Sequence, residues 1–435
     1  MIRRVLGVLL ILGLVMSLTI GCATEEKKAT PPPAPAKPEW PKEIKVGFIF
    51  PLTGPNANDG MNCKKAIELA IDIVNNKYDL DLPFAKTEGI VSKGGAKIVP
   101  VWGDHTSNPE VAAAEAERLI TKDKVVMLAG AGESASTATA SQVGERYKIP
   151  MLAGNPSSPA LNTRGFKYFF RTCPHDGFFS KLIFDFLDDY NKKEGNKVKT
   201  MVILHEDTVY GQDNGDQQQK LAQERGYKVL DRIRYNRNTS SLLAEVQRIK
   251  KADPDVVLCT NYTPDAILFF KSMEQLKWQP PMLVASGAGY DDPDFFKAIG
   301  AKANGLLNRN VFSMDFTKTT PALKTINELM LKKYNEPING NNILDFQKVL
   351  VLADVLERAK SLSGDDLRQA LVDTNIPREK LVLPWKAVKF DATGQNSGVT
   401  VIMVQWQTND YKLVYPFDLN PASIIYPMPL SPRKK

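Results

Sequence analysis

Residues 125–141, VVMLAGAGESASTATAS, join a short apolar run to a segment rich in alanine and small polar residues. The apolar half, 125–129, predicts a buried strand, and the glycines at 130 and 132 predict a tight turn. Ser134 then begins a helix whose first backbone N–H groups have no partner inside the helix. The helix dipole favours an anion at the same place. The stretch therefore predicts a site for a carboxylate or a phosphate.

On both sides of this stretch, short apolar runs alternate with amphipathic segments, as in parallel sheets with helical crossovers. Strands are predicted at 44–50, 97–102, 125–129 and 150–153, with helices at 60–76, 109–121 and from 134. A second series of the same kind runs from a helix at 177–190 to a strand at 282–285. A chain of 435 residues also exceeds the usual size of a single core. The predicted fold class is therefore α/β, with two doubly wound lobes.

The end of the chain combines helices with a few final strands. A long helix at 344–361 places Val349, Leu352, Ala353 and Leu356 at helical spacing, which predicts packing in the core. Strands at 388–390, 399–406 and 413–415 alternate with a period of two around residues 396–398. They predict an antiparallel pair at a sheet edge.

The amino-terminal residues have the layout of a secretory signal peptide. Arg3 and Arg4 precede an almost wholly apolar run at 5–20, which is short for a membrane span of roughly 20 residues. The small residue before Cys22 resembles a bacterial lipobox, in which Cys22 becomes the lipidated first residue. Residues 1–21 are therefore predicted to be a lipoprotein-type signal peptide, and the polar, proline-rich residues 22–42 a tether.

Composition and motifs exclude several classes of function. The net charge of +7 comes from dispersed basic residues, which gives no case for nucleic acid. The cysteines form no C-x-x-C pair and the histidines lack ligand spacing, so we predict no metal site.

The two glycines at 130 and 132 make half of a dinucleotide fingerprint, but the next strand ends at 153–156 without the required acidic residue, so we predict no cofactor. Hydrolase and P-loop motifs do not occur, so a binding protein is favoured over an enzyme.

Four segments in order carry a family resemblance. They are IKVGFIFPLTGP from 44, GAGESASTATA from 130, NPSSPALNTRGFKYFFRT from 155 and VYGQDNGD from 209. Over roughly residues 43–416 the sequence resembles the type I periplasmic binding proteins, in particular the leucine/isoleucine/valine-binding group. The resemblance implies two lobes joined by three crossing strands, with the ligand held between them and passed to a membrane transporter.

The resemblance also implies a set of ligand-binding residues. The start of the helix at 134 would hold a ligand carboxylate, and the loop after the next strand would complete the carboxylate and ammonium contacts. Second-lobe tyrosines would close over the ligand. The residues concerned are Ser134, Ala135 and Ser136 in the helix, Asn155, Pro156 and Ser157 in the loop, and Tyr210 and Tyr262 in the second lobe.

Two positions depart from the family pattern. Gly287 falls where amino-acid-binding members place a glutamate for the ammonium group, and Asp59 stands where branched-chain receptors carry an aromatic wall. Asp291 or Asp292 is a candidate to replace the glutamate, although either carboxylate also suits the cap of the helix after Pro293. Without an anionic partner a buried ammonium costs several kcal/mol. The ligand is therefore expected to be amino acid-like, or a small carboxylate or aromatic acid.

The sequence thus predicts an extracytoplasmic, membrane-anchored substrate-binding lipoprotein of an ABC importer, acting as a monomer and closing by a hinge. The expected partners are a small-molecule ligand, a permease and the membrane through the lipid. Lobe 1 is predicted at 43–172 plus 309–388 and lobe 2 at 173–308 plus 389–435, with hinges near Thr172, Asn308 and Phe390. The alternatives are a ligand-sensing receptor module of the same fold and, in a different class, a secreted enzyme.

Overall fold

The computed structural model describes residues 40–419 and 421–429, in which strands and helices alternate. The predicted signal peptide, Cys22 and the tether up to residue 39 lie outside the described residues, as do residue 420 and residues 430–435. None of the described helices combines the length and hydrophobicity that a membrane span requires. Cys63, Cys173 and Cys259 are buried free thiols.

The first sheet is parallel and carries helices on both faces. Its strands are β1 (Glu43–Phe50), β2 (Lys97–Asp104), β3 (Met127–Gly130), β4 (Met151–Ala153) and β5 (Phe169–Arg171), in the order β2-β1-β3-β4-β5. The helices between them are α1 (Ala57–Asn75), α2 (Pro109–Thr121) and α3 (Ser134–Tyr147). Phe48 and Ile49 of β1 point to opposite faces and are both fully buried, because helices cover each side.

The second series builds another largely parallel sheet. Its strands are β6 (Thr200–Glu206), β7 (Lys228–Tyr235), β8 (Val256–Thr260), β9 (Met282–Ala285) and β10 (Leu307–Asn310). The helices are α4 (Asp176–Glu194), α5 (Val209–Glu224), α6 (Leu243–Ala252), α7 (Thr263–Gln275) and α8 (Pro293–Ile299). Two apolar clusters, one on each face of this sheet, form its core.

After β10 the chain returns to the first sheet and then crosses again. The returning elements are α9 (Pro321–Tyr334), α10 (Asn342–Arg358), α11 (Gly364–Val372) and the small antiparallel pair β11 (Asn375–Pro377) and β12 (Ala387–Lys389). The last strands, β13 (Ile402–Gln407) and β14 (Asp410–Tyr415), join the second sheet, whose order is β14-β13-β10-β9-β8-β6-β7. They form the predicted antiparallel edge pair, but its turn lies at 408–409 rather than 396–398.

In the described chain, three segments connect the lobes, and one differs in position from the prediction. The segments follow β5, β10 and residue 398. The prediction assigned the residues from 389 onward to the second lobe. In the structure, however, the Arg171 N–H of β5 donates to the Gly394 carbonyl at 2.8 Å, and the Arg171 carbonyl accepts the Asn396 N–H at 2.9 Å. Residues 394–396 therefore extend the edge of the first sheet. The polar run DATGQNSG signals a turn in the sequence but does not say which sheet it borders.

Candidate functional site

A cleft lies between the lobes at the carboxyl ends of both sheets, where doubly wound folds place their ligands. The segments after β1, β3 and β4 form one wall, and those after β6, β8 and β9 form the other, together with β10. The cavity left between these walls is about 40 Å³, far smaller than a typical open small-molecule site, so the two walls lie close together in this structure.

Most of the sequence-predicted ligand-binding residues meet in this cleft. Those that line it are Ser134, Asn155, Pro156, Ser157, Tyr210, Tyr262 and Asp59. Ser136 instead turns its hydroxyl to the ring of His105, with Oγ 3.3 Å from Nδ1, and is fully buried. Ala135 and Gly287 flank the lining residues in the chain without being part of the wall.

The start of α3 is held rigidly below the cleft. A Cβ at Gly130, whose φ is +134°, would lie 2.2 Å from the carbonyl oxygen of Ile49, so only glycine fits at the end of β3. The Thr137 hydroxyl accepts the Ala131 N–H at 3.0 Å and donates to the Glu133 carbonyl at 2.8 Å. These bonds fix the turn that presents the first N–H groups of α3 to the cleft.

Ser134 connects this helix start to the neighbouring loop. Its Oγ accepts the backbone N–H of Ser158 at 3.3 Å, which leaves the hydroxyl proton available to a ligand in the cleft. Ser158 also donates its hydroxyl to Asp213 of α5, in the other lobe. Ser134 thus belongs to a hydrogen-bond network that reaches across the lobes.

A buried ion pair also joins the lobes at the cleft. Arg237, after β7, donates from Nη2 to Glu133 Oε1 at 2.7 Å and from Nη1 to Oε2 at 3.2 Å. The side chains are 10% and 4% exposed. Burial raises the pKa of Glu133, but the charge and hydrogen bonds of Arg237 outweigh it and hold this pKa below its usual value. The Arg237 guanidinium carbon lies 4.1 Å from the ring centroid of Tyr262.

Asp59 contributes a carboxyl group from α1. The residue is half-buried. Loss of contact with water raises the pKa of its carboxyl group well above the usual value, and the negative charge of Asp292 raises it further, whereas the hydrogen bond from Asn341 lowers it. Asn341 Nδ2 lies 2.8 Å from Asp59 Oδ1 and 3.2 Å from the carbonyl oxygen of Ala288 in the other lobe. A protonated Asp59 presents a hydrogen-bond donor to the cleft.

The second-lobe tyrosines form an aromatic wall. The rings of Tyr210 and Tyr262 lie 5.4 Å apart between centroids. Tyr210 is buried and donates its hydroxyl to the carbonyl of Ser286. Burial raises the pKa of both phenols, so both stay neutral and act as donors.

The corner expected to hold a replacement carboxylate holds an arginine instead. A Cβ at Gly287 would lie 2.6 Å from Cζ of Arg309, whose side chain lines the cleft. Asp291 accepts from Asn308 Nδ2 at 3.1 Å and Asn310 Nδ2 at 2.6 Å. Its carboxylate is thus engaged within the second lobe.

The second candidate carboxylate has a structural role. Asp292 caps α8 by accepting the Asp294 N–H at 2.9 Å, as the sequence allowed, and also accepts the Thr263 hydroxyl at 2.8 Å. It therefore does not take the place of the missing glutamate.

Nine of the lining residues were not predicted from the sequence, and those with charged or amide side chains are Asn56, Glu133, Arg309 and Asn341. Glu133 lies inside the quoted stretch, and Asn341 belongs to a polar run directly before the apolar helix. Arg309 stands between two asparagines in a strand whose four residues are all buried, and a charged residue in a buried strand is itself a signal of function.

The comparisons with known proteins agree with this architecture. The model of the periplasmic binding protein family matches residues 43–411. Leu/Ile/Val-binding protein homolog 7 of Brucella suis biovar 1 is 27% identical over 384 residues, which cover 86% of this chain and 92% of that protein. The chain belongs to the periplasmic binding protein family, as a type I member of the Leu/Ile/Val-binding group. The resemblance seen in the sequence is thereby confirmed.

Solved structures share the fold. A leucine-binding protein of Thermotoga maritima has a TM-score of 0.73 at 21% identity, covering 86% of this chain and 99% of that chain. A solute-binding protein of an ABC transporter from Rhodopseudomonas palustris BisB5, in complex with 3,4-dihydroxybenzoic acid, has a TM-score of 0.72 at 19% identity, covering 89% and 98%. These likenesses show the fold, and membership of the periplasmic binding protein family implies a location outside the cytoplasm.

Proposed function

We propose that the protein is the substrate-binding lipoprotein of an ABC importer, which captures a small polar ligand by hinge closure and delivers it to a permease. The ligand carries a carboxylate or a similar polar head, as in an amino acid-like compound or a small aliphatic or aromatic acid. Cys22 carries the lipid anchor, and the protein acts as a monomer.

One observation carries this proposal: the start of α3 faces Tyr210 and Tyr262 across a cleft between two lobes. The free N–H groups of the helix and the Ser134 hydroxyl suit the negative head of a ligand. The tyrosine rings suit its apolar body. Because the two parts belong to different lobes, a ligand that touches both holds the lobes together.

A thermal-shift screen tests the proposal. The panel contains amino acids, aromatic acids, amides and short carboxylates, because a ligand that binds only the folded protein must raise its Tm. Calorimetry then gives the Kd of each compound that raises the Tm. Tyr262→Ala removes an aromatic wall and is expected to weaken binding about 10-fold or more. Tyr147→Ala, at an exposed tyrosine of α3 far along the helix, is the matched control.

Four outcomes would contradict parts of the proposal. If no compound of the panel raises the Tm, small-acid capture is wrong. If a compound is chemically converted by the purified protein, the secreted-enzyme alternative is correct. If the protein co-purifies with a membrane kinase rather than a permease, the sensor alternative is correct. Mass spectrometry of the mature amino terminus measures lipidation, and an unmodified Cys22 would contradict the anchor.

A further inference from the structure

Arg309 has more hydrogen-bonding capacity than its protein neighbours use. Its side chain lines the cleft from β10, and the residue is 7% exposed. The guanidinium carbon lies 3.7 Å from the ring centroid of Phe179, so one face of the group packs on an aromatic ring. Among the described residues, its Nε has no hydrogen-bond partner. A guanidinium carries five N–H donors, and burying them unpaired is unfavourable.

The carboxylate beside Arg309 does not satisfy these donors. Asp176 Oδ1 lies 3.8 Å from Nη2, which is an ion-pair distance but too long for a hydrogen bond. Both carboxylate oxygens of Asp176 are buried without a hydrogen-bond partner in the described structure. Burial raises the pKa of Asp176 to about 6, although Arg309 opposes the shift. The two groups therefore attract each other as an ion pair without forming a hydrogen bond.

Gly287 leaves room for the guanidinium in this position. With φ at +73°, Gly287 adopts a conformation that side chains disfavour, and its N–H donates to Asn308 Oδ1 at 2.7 Å. A Cβ at this residue would lie 2.6 Å from both Cζ and Nη1 of Arg309. The guanidinium therefore occupies the space that a side chain at 287 would need.

The cleft offers positive groups at both walls, and its acidic groups are neutralised. The α3 helix start lies on the first lobe and Arg309 on the second. Glu133 is paired with Arg237, and burial favours the neutral form of Asp59. A ligand ammonium group would meet no free carboxylate among the described lining residues without first ionising Asp59.

We propose that the ligand is a small dicarboxylate, with one carboxylate at the start of α3 and the second bound by the guanidinium of Arg309. This assignment rests on the proposed function, because it presumes ligand capture in the cleft. A carboxylate that contacts the guanidinium through Nε gives this donor the partner that it lacks in the described structure, and a guanidinium suits a carboxylate in geometry as well as in charge. It also places two negative charges between two positive sites, which favours the closed arrangement of the lobes.

The test compares matched acids on matched variants. The probes are glutarate and terephthalate as dicarboxylates, butyrate and benzoate as monocarboxylates, and leucine as an amino acid. Kd values are measured by calorimetry for the full chain, for Arg309→Gln and for Arg309→Lys. Arg248→Gln, at an exposed arginine of α6, is the control for the loss of one positive charge.

The expected result is that a dicarboxylate binds and that Arg309→Gln weakens it about 10- to 100-fold, since hydrogen bonds to charged groups are among the stronger ones. Arg309→Lys retains part of the affinity, because it keeps the charge but not the planar fork. Arg248→Gln binds like the unmodified protein. Circular dichroism of each variant without ligand establishes that it is folded.

Other outcomes separate this assignment from the proposed function. Binding of leucine or benzoate with equal Kd in the unmodified protein and in Arg309→Gln overturns the dicarboxylate assignment and leaves ligand capture in place. If none of the five probes and none of the wider panel binds, the proposed function itself fails. A dicarboxylate whose Kd is unchanged in Arg309→Gln also overturns the role of Arg309.

Discussion

At the scale of single residues, Asp291 shows how burial decides the behaviour of a carboxyl group. Its Oδ1 accepts hydrogen bonds from Asn308 and Asn310, and both asparagines are themselves buried. Burial raises its pKa to about 7, although Arg309 and the two asparagine bonds act in the opposite direction. Asp291 therefore changes its charge near neutral pH, far above the usual range of an aspartate.

This shift predicts a pH-dependent effect of Asp291→Asn on stability. Because the folded pKa of about 7 lies above the ordinary value of 3.8, Asp291 reduces the unfolding free energy progressively as the pH rises between these values. An asparagine stays neutral, and its amide oxygen can accept the same two bonds. As the pH rises from 5 to 8, the unfolding free energy of the variant should increase by about 2–3 kcal/mol relative to that of the unmodified protein.

Urea denaturation at a series of pH values measures this difference. Asp81→Asn, at an exposed carboxylate, controls for the loss of one negative charge. A difference between variant and parent that stays constant from pH 5 to pH 8 would show that Asp291 does not titrate in this range.

The sequence revealed the cleft residues unevenly, for a physical reason. Ser134 and the loop at 155–157 follow predicted strands directly, so their place at a sheet edge could be inferred. Arg309 lies within a strand. The alternation of side chains along a strand gives the face on which each one lies, but it does not show that the guanidinium of a long side chain reaches the cleft. The pairing of Glu133 with Arg237 joins residues 104 positions apart, and no local pattern encodes it.

At the scale of secondary structure, α10 is a helix buried on almost every side. It packs between α1 and the face of the first sheet, and its apolar spacing correctly predicted a core helix. Lys348 and Asp345, one turn apart, are both fully buried and form an ion pair at 2.6 Å. The Lys348 ammonium lies 4.8 Å from the ring centroid of Phe50. The sequence did not indicate this pair, because lysines in helices usually reach solvent.

The pair predicts a strong dependence of one residue on the other. Lys348→Met leaves the Asp345 carboxylate buried without its cation and is expected to destabilise the fold by about 3–5 kcal/mol. In the double variant Asp345→Leu with Lys348→Met, both charges are gone and most of that stability should return. Chemical denaturation of the single variants and the double variant gives the coupling energy. Additive effects of the two substitutions would mean that the ion pair does not couple them.

At the scale of the whole molecule, contacts between the lobes at the cleft define how tightly it closes. Besides the ion pair of Glu133 and Arg237, Asn58 donates to Asp294, and Ser158 donates to Asp213. Each bond joins a first-lobe residue to a second-lobe residue. The ion pair is the most buried of them, so its loss should have the largest effect on closure.

Arg237→Gln tests this role. The variant leaves Glu133 without its cation, so the lobes should separate more readily, and the Kd of a cleft ligand should rise about 10-fold or more. Small-angle X-ray scattering is expected to give a larger radius of gyration for the variant without ligand. Arg248→Gln again serves as the control, because its partner Asp231 lies in the same lobe. An unchanged radius and an unchanged Kd would exclude the ion pair as a determinant of closure.

The twin α/β lobes followed from the sequence, whereas the position of one crossover did not. Strand and helix periods are local, so the order of elements could be inferred for both sheets. The bridge between Arg171 and Gln395 joins parts of the chain that are distant in sequence, and it moved the third crossover beyond residue 398. Such long-range pairing is decided by packing, which single-sequence patterns do not contain.

The first lobe is built from two separate parts of the chain, and this has a consequence for the order of folding. Its core joins α1 to α10, which are separated in the chain by the whole of β6–β10. Forming contacts over such long loops is entropically unfavourable and slow, whereas β6–β9 pair with partners nearby in sequence. The part of the molecule that is translated first is thus expected to be completed last. Pulse-labelled hydrogen exchange during refolding measures this order, and earlier protection of β1 than of β8 would contradict it.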